Sequence, residues 1–417
     1  MLSVFEEQHG YDLRRHLPAL MGEGNGESVA RVGHDYKETL DELHRSYLQT
    51  WRDWAESQGS LTRNQAHGSP GNLLDHYAVA GIPETEIFRH VDDGQIPMLQ
   101  FASSAAHLTG KRLVSAESFT WLGEHFQVTP AALKEAADFL WLGGVNHIFF
   151  HGTPYSPKEA GWPGWLFYAS THMGINGGLW RDLPAFNSCI ARIQSELQKG
   201  EADTAVLLYF PVHDLWSVPS KELPLFTIHN QEEWLRPMPF YGVAMAMWNK
   251  GVACDFVSDR LLEKARVDEG SIVLGGSRFN TLVVPQLNAL PVKTAVQLKR
   301  LADEGASIAF LGDIPADAPG LAGMHDADGL EKVFSQGSQI EEGADLLSHL
   351  AERGIKGEPM SDHGLRFVRR RTDDGHSWFI VNRSGEAVDA WIRLNVAFRS
   401  ACFLDPSRSD RFGRVEQ

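Results

Sequence analysis

The spacing of apolar and polar positions divides the chain into three stretches. From residue 35 to about 200, helical patterns alternate with short apolar runs that end in polar residues. Leu43, Tyr47, Leu48, Trp51 and Trp54 recur near one face of a helix expected over 41–58. The Gly and Pro of TRNQAHGSPGN stop regular structure after it. The run HYAVAGIPETEIF follows, then a helix around 103–108. A strand expected over 112–116 delivers Glu117. Thr129 and Pro130 read as the cap and first position of a helix ending near Leu142. A strand over 146–150 leads into the loop HGTPYSPKEAGWPGW, and a helix spans 183–198. Strand, polar loop, helix, repeated, predicts a parallel α/β architecture. In a (β/α)8 barrel the working groups sit on loops after the strands, where Glu117, His151 and the 63–67 cluster would lie.

Near residue 203 the pattern changes. DTAVLLYFP reads as a continuous buried strand, and VACDFVS, NTLVVPQ and ASIAFLGD continue the series. Helices fall between them, clearest over 237–249 and 292–304. This predicts a flavodoxin- or amidotransferase-like α/β domain over 201–345. No G-x-G-x-x-G follows its first strand, so the sequence gives no support to a dinucleotide site. Cys254 falls inside a strand rather than on a nucleophile elbow, which argues against amidotransferase chemistry. Beyond 345, GLRFVRRRT, HSWFIVNRSG, AVDAWIRLN and SACFLDP alternate between turns. They predict a short all-β segment over 346–417, part of a β-sandwich with four or five strands.

Composition narrows the function classes. A length of 417 residues implies two or three domains. No apolar run approaches the roughly 20 residues of a membrane helix. The net charge of −16 argues against a broad nucleic-acid surface, which needs clustered Lys and Arg. Cys189, Cys254 and Cys402 match no metal-ligand spacing and are each expected to be small buried hydrophobes. The start, MLSVFEEQHGYDLRR, carries no basic-then-apolar leader. Many of the 12 Trp, 22 Phe and 8 Tyr fall in Gly- and Pro-rich loops such as WPGWLFYAS, where exposed rings can grip sugars.

Cleaving a glycosidic bond takes two carboxyl groups, one giving a proton and one activating water or attacking the sugar. Glu117, in RLVSAESFTW, is the best candidate; its plainer reading is a surface carboxylate at a strand end. Glu84 and Glu86 lie two residues apart on an extended run and point the same way, which suits a cation site. Glu84 reads equally as a solvated loop charge. Arg63, Asn64 and His67 form a loop dense in donors and acceptors for sugar hydroxyls, or for the turn itself. His151 and Tyr155 follow the strand ending in two Phe, and Trp162 and Trp165 could stack on a sugar. His107, His147 and His151 raise zinc, but no zinc-protease spacing occurs.

SSAAHLTGKRLVSAESFTW, GGVNHIFFHGTPYSP, WPGWLFYAS and DTAVLLYFPVHDLW stand in this order after HGYDLRRHLPAL and RNQAHGSPGN. Together they resemble family 106 of the glycoside hydrolases, the α-L-rhamnosidase family. The resemblance runs through most of 9–217 and more faintly to about 410. It implies a (β/α)8 catalytic barrel, inverting hydrolysis of terminal α-L-rhamnosides, and a calcium ion near the sugar hydroxyls. Glu117 matches one of the family's two catalytic carboxylates, and Glu86 matches a carboxylate of the same pocket that would hold calcium or sugar. The family's other catalytic glutamate precedes the Gly10-Tyr11-Asp12 segment, and Glu6 and Glu7 do not match its motif. The expectation is therefore that 1–200 is the C-terminal part of the barrel, the rest preceding Met1. A rhamnose-containing glycoside is the expected partner. A related barrel enzyme such as a β-galactosidase, and a non-catalytic carbohydrate-binding remnant, are the alternatives.

Overall fold

The first 200 residues build one parallel sheet and the helices that cover it. The computed structural model describes residues 1–408 except 89–91, 170, 221–222, 325–326 and 336–339. Ser170, which ends the WPGWLFYAS run, therefore lies outside the described residues. Helix α1 (Leu2–His9) is followed by α2 (Gly26–Ser57), 32 residues and about 48 Å long at 1.5 Å per residue. Asn25 starts α2 by accepting the Ser28 N–H at 2.7 Å. The helix thus begins 15 residues before the pattern indicated, and its inward face is not the expected aromatic one. Tyr47 and Trp54 are 63% and 64% exposed, whereas His34, Asp35, Lys37, Thr39 and Asp41 are buried. The physical reason lies in what α2 packs against. Lys37 Nζ donates to the carbonyls of Trp216 and Val218 at 2.7 and 2.9 Å, a surface that wants donors rather than rings.

Next come β1 (Arg63–Asn64), α3 (Leu73–Val79), β2 (Ile82–Phe88), α4 (Ile96–Leu108), β3 (Ser115–Thr120), α5 (Pro130–Leu142), β4 (His147–Phe150) and α6 (Leu183–Leu197). The four strands pair in parallel in the order β1-β2-β3-β4. The Thr129 hydroxyl accepts the Ala132 N–H at 3.2 Å with Pro130 at the first position, so α5 starts as its sequence dictates. Strand β3 runs three residues later than expected, which puts Glu117 inside it rather than after it.

A short β5 (Glu201–Ala202) precedes a second parallel sheet made of β6 (Val206–Tyr209), β7 (Cys254–Val257), β11 (Thr281–Val284) and β12 (Ile308–Phe310), in the order β12-β11-β6-β7. Its strands are buried along their whole length, as the continuous apolar runs require. Between β7 and β11 lies an antiparallel meander, β8 (Arg266–Asp268), β9 (Ser271–Leu274) and β10 (Ser277–Phe279). Its two-residue loops, Glu269-Gly270 and Gly275-Gly276, hold positive φ at both positions, the geometry tight hairpins need. A Cβ at Gly275 would also stand 2.5 Å from the His107 carbonyl oxygen, so only glycine fits.

Helix α4 lies between the two sheets, and every residue of it except Gln100 and His107 is buried. Phe101 meets Phe210, Phe256 and Phe240 at ring-centroid distances of 4.8, 5.3 and 6.0 Å. The Ser104 hydroxyl accepts the Phe256 N–H at 2.9 Å. The two sheets consequently share one hydrophobic core.

At the C-terminal end the expected four or five strands reduce to a hairpin. Strands β13 (Leu365–Thr372) and β14 (Gly375–Asn382) pair antiparallel, and β5 adds to the free edge of β13. The runs 387–395 and 400–406 are not strands. Among the described residues the hairpin gains no second sandwich layer. It lays Phe379 on Trp141 of α5, centroids 5.4 Å apart, and Val368 on the same cluster. Cys189 and Cys254 are buried as expected, but Cys402 is exposed. Burial raises the thiol pKa of both buried cysteines above the ordinary value. Among the described residues no helix is long and apolar enough to cross a membrane.

Candidate active site

Alternation along the first sheet fixes its polar face. In the parallel register Arg63 lies opposite Ile82, Glu84 opposite Ser115, and Glu86 opposite Glu117, which in turn faces Phe149. Side chains two apart share a face, so Arg63, Glu84, Glu86, Ser115, Glu117, His147 and Phe149 all project to one side. Glu84 and Glu86 are 6% and 7% exposed at the side chain, while Glu117 is 29% exposed. Two carboxylates therefore sit deep, and the third opens toward solvent.

Each has its own partners. Arg63 Nε lies 2.9 Å from Glu84 Oε2, and its guanidinium rests 3.6 Å from the Phe149 ring centroid. The Ser115 hydroxyl donates to Glu84 at 2.7 Å. Burial nonetheless pushes the Glu84 carboxyl above its ordinary range, against the pull of Ser115 and Arg63. His67 Nε2 and His229 Nε2 approach Glu86 Oε1 at 3.0 and 3.6 Å, and His67 lacks hydrogen-bond alignment at either ring nitrogen. Gln65 Nε2 donates to Glu117 Oε2 at 2.9 Å and reaches Glu84 Oε1 at 3.4 Å, so one amide spans two carboxylates.

A bulge aims the last contact. Between Glu86 and Phe88 of β2, strand β3 inserts an extra residue, and Phe119 takes φ 72. A bulky residue in that region is strained by about 1–3 kcal/mol, and bulges of this kind re-aim side chains beside functional sites. Here the bulge brings Thr120 to the face of Glu117, three residues back. Its hydroxyl donates to Glu117 Oε1 at 2.7 Å. With its proton so used, Thr120 Oγ1 accepts from His151 Nδ1 at 3.2 Å, and His151 Nε2 makes no hydrogen bond among the described residues.

The structure thus brings together Glu117, Glu86, Arg63, His67 and His151 of the expected set. Glu84 joins them as a buried group rather than a solvated loop charge. Asn64 does not join, because alternation turns it to the opposite face, where its Nδ2 is buried without a partner. Tyr155, Trp162 and Trp165 are 76%, 82% and 59% exposed in the loop after β4. Tyr155 and Trp165 meet edge-on at 6.2 Å, and Phe167 of the same loop touches His151 at 5.3 Å. His107, His147 and His151 do not assemble. His107 Nδ1 contacts Asp255 at 2.8 Å, and His147 meets Phe149 edge-on. Gln65, Ser115, Thr120, Phe149 and His229 were not expected. The first of these was readable, since it lies two residues from both Arg63 and His67.

Comparisons with known proteins place the chain in a family. The profile of glycoside hydrolase family 106, described as alpha-L-rhamnosidase, matches residues 1–411. A putative β-glucuronidase of Formosa agariphila is 26% identical over 413 residues, covering 94% of this chain and 32% of that protein. The rhamnosidase of Novosphingobium sp. PP1Y shares the fold with a TM-score of 0.71 and 21% identity, over 91% of this chain and 37% of that one. An exo-carrageenase of Bacteroides ovatus follows the chain at a TM-score of 0.54 and 9% identity, over 91% of this chain and 56% of its own. The chain therefore spans about a third of the length of the first two of these relatives. It is an α/β protein with parallel sheets like those of glycosidases, and it belongs to glycoside hydrolase family 106, the α-L-rhamnosidase family.

Proposed function

We propose that the carboxylate face of the first sheet is this chain's share of an active site that removes terminal α-L-rhamnosyl residues. The observation that carries the proposal is Glu117, half-exposed on that face with Gln65 and Thr120 fixing one carboxylate oxygen each. Such fixing is what proton transfer to a leaving oxygen, or from a water, requires. Glu117 is the catalytic acid or base. Arg63, His67 and His151 bind sugar hydroxyls, His151 through its Nε2. Tyr155, Trp162 and Trp165 stack on the glycan beyond the cleaved bond. Asn64, turned away, is left out.

An inverting pair would place the second carboxylate about 6.5–9.5 Å from Glu117. Glu84 is occupied by Arg63 and Ser115, and Glu86 stands between two imidazoles, so this face supplies the Glu117 half of the pair. Glu86 holds sugar. Calcium takes six to eight oxygens, whereas Glu86 meets two nitrogen donors among the described residues. The residues present do not fit that ion, and no step is routed through it.

The finer architecture follows the same reading. Residues 1–200 form part of a (β/α)8 barrel, 201–345 an amidotransferase-like α/β unit, and the stretch from 346 carries the hairpin.

The test is a panel of aryl glycosides offered to the chain. Selective hydrolysis of the α-L-rhamnoside supports the proposal. Preference for the β-galactoside or β-glucuronide overturns the sugar assignment, and rhamnose binding without turnover of any glycoside makes the chain a binder.

A further inference from the structure

A second cluster lies away from the carboxylate face, where α1 meets α2. His9, Asp35 and Glu38 place one ligating atom each within 4.8 Å of one another. Asp35 and Glu38 are three apart on α2 and share a face, and His9 ends α1 against them. The His9 side chain is 7% exposed and that of Asp35 is 2% exposed.

The surrounding hydrogen bonds orient the His9 ring. The Thr39 hydroxyl donates to the Asp35 carbonyl at 3.0 Å. Its oxygen is left to accept, and it does so from His9 Nε2 at 3.0 Å. Nε2 is thereby engaged, and Nδ1 is the ring nitrogen that faces the two carboxylates. Nδ1 makes no hydrogen bond among the described residues and is turned toward Asp35 Oδ1 at 3.7 Å, beyond hydrogen-bond range. The Glu38 carboxylate, half-buried, takes no hydrogen bond or ion pair among the described residues. An imidazole nitrogen facing two carboxylates is a donor set that one cation between them would complete. Two ligands each about 2.0–2.2 Å from one ion stand roughly 3.3–3.8 Å apart, and His9 Nδ1 and Asp35 Oδ1 are 3.7 Å apart.

Asp35 is held as ligating carboxylates are held. The Tyr11 hydroxyl and the Leu321 N–H each donate to Oδ2 at 2.9 Å, and His34 Nδ1 lies 3.1 Å from Oδ1. His34 Nε2 in turn meets His213 Nδ1 at 2.9 Å, anchoring that shell to the second sheet.

We propose that His9, Asp35 and Glu38 bind one divalent transition-metal ion of the zinc class, which ties α1 to α2. One imidazole nitrogen and two carboxylates suit such an ion, and the ion offsets the two neighbouring negative charges, of which Asp35 is buried. The site is structural, since none of the three residues touches the Glu84–Glu86–Glu117 face.

The experiment is calorimetric titration of the EDTA-treated chain with zinc chloride, repeated on His9→Gln, Glu38→Gln and His67→Gln, with melting temperatures recorded alongside. The expected result is one 1:1 site, weakened about tenfold or more by His9→Gln and by Glu38→Gln and unchanged by His67→Gln. Glu38→Gln, half-exposed and nearly isosteric, should melt as wild type does in EDTA. No saturable zinc site in the folded chain overturns the proposal. So does a site that survives both His9→Gln and Glu38→Gln, or one that only His67→Gln removes.

Discussion

Replacing Arg63 by Met tests the electrostatics of the carboxylate face. Met keeps the apolar stem that lies on Phe149 and removes the charge 2.9 Å from Glu84. Two unit charges at about 4 Å attract by about 4 kcal/mol at the effective dielectric of a protein surface. Arg63 is 39% exposed, so solvent screening leaves about 2 kcal/mol of that. Glu84 itself is 6% exposed, and without Arg63 its charge keeps only Ser115 and Gln65. The sign follows from its raised pKa. A carboxyl raised on folding binds protons more readily in the native than in the unfolded state, so stability falls as pH rises past the unfolded value. Losing the cation widens that window. Urea unfolding should therefore show a deficit of about 2 kcal/mol at pH 7.5 that shrinks to about 1 kcal/mol or less at pH 5. In a Glu84→Gln background the same substitution should cost under about 0.5 kcal/mol at either pH. An equal deficit at both pH values, or in both backgrounds, would refute the reasoning.

Two further outcomes follow from the shared core and the buried acids. Phe101→Ala should cost about 3–5 kcal/mol, because the ring is fully buried against Phe210, Phe240 and Phe256. Unfolding should stay a single transition by both fluorescence and circular dichroism, and separate transitions would contradict one core across both sheets. Asp75 is fully buried, and burial first, then Asp41, pushes its carboxyl up to about 7. Its native state holds the proton more tightly than the unfolded chain, so Asp75 lowers stability as pH rises from about 4 to 7, by up to about 1.4 kcal/mol per pH unit. Asp75→Asn should flatten that decline and melt higher than wild type at pH 7.5. An unchanged pH profile of melting temperature would count against it.

Much of the fold follows from local rules that the sequence displays. Thr129 and Pro130 start α5, and the apolar runs 203–211, 252–258, 280–286 and 306–313 become the second parallel sheet. The meander of β8 to β10 was equally readable, since Glu-Gly and Gly-Gly each separate alternating runs. What period alone could not give was the environment of α2. Its aromatic stripe obeys helical spacing, but its inward face answers to Trp216, Val218 and His213, about 180 residues away. The trailing runs alternate as strands do, yet among the described residues they form no strand. At the site, alternation on β2 was enough to place Glu84 and Glu86 together. Thr120 was not readable, because it reaches Glu117 only through a bulge whose strained residue is a phenylalanine, with no glycine to announce it.

The central claim is that Glu117 does proton-transfer chemistry on a bound rhamnoside. The most direct measurement compares hydrolysis of an aryl α-L-rhamnoside by the wild-type chain and by Glu117→Gln, with rhamnose binding measured on both. The account predicts turnover that falls about 10²–10⁴-fold in the variant while binding is retained. Equal rates in the two proteins, or a wild-type chain that binds the sugar and never cleaves it, would contradict the account.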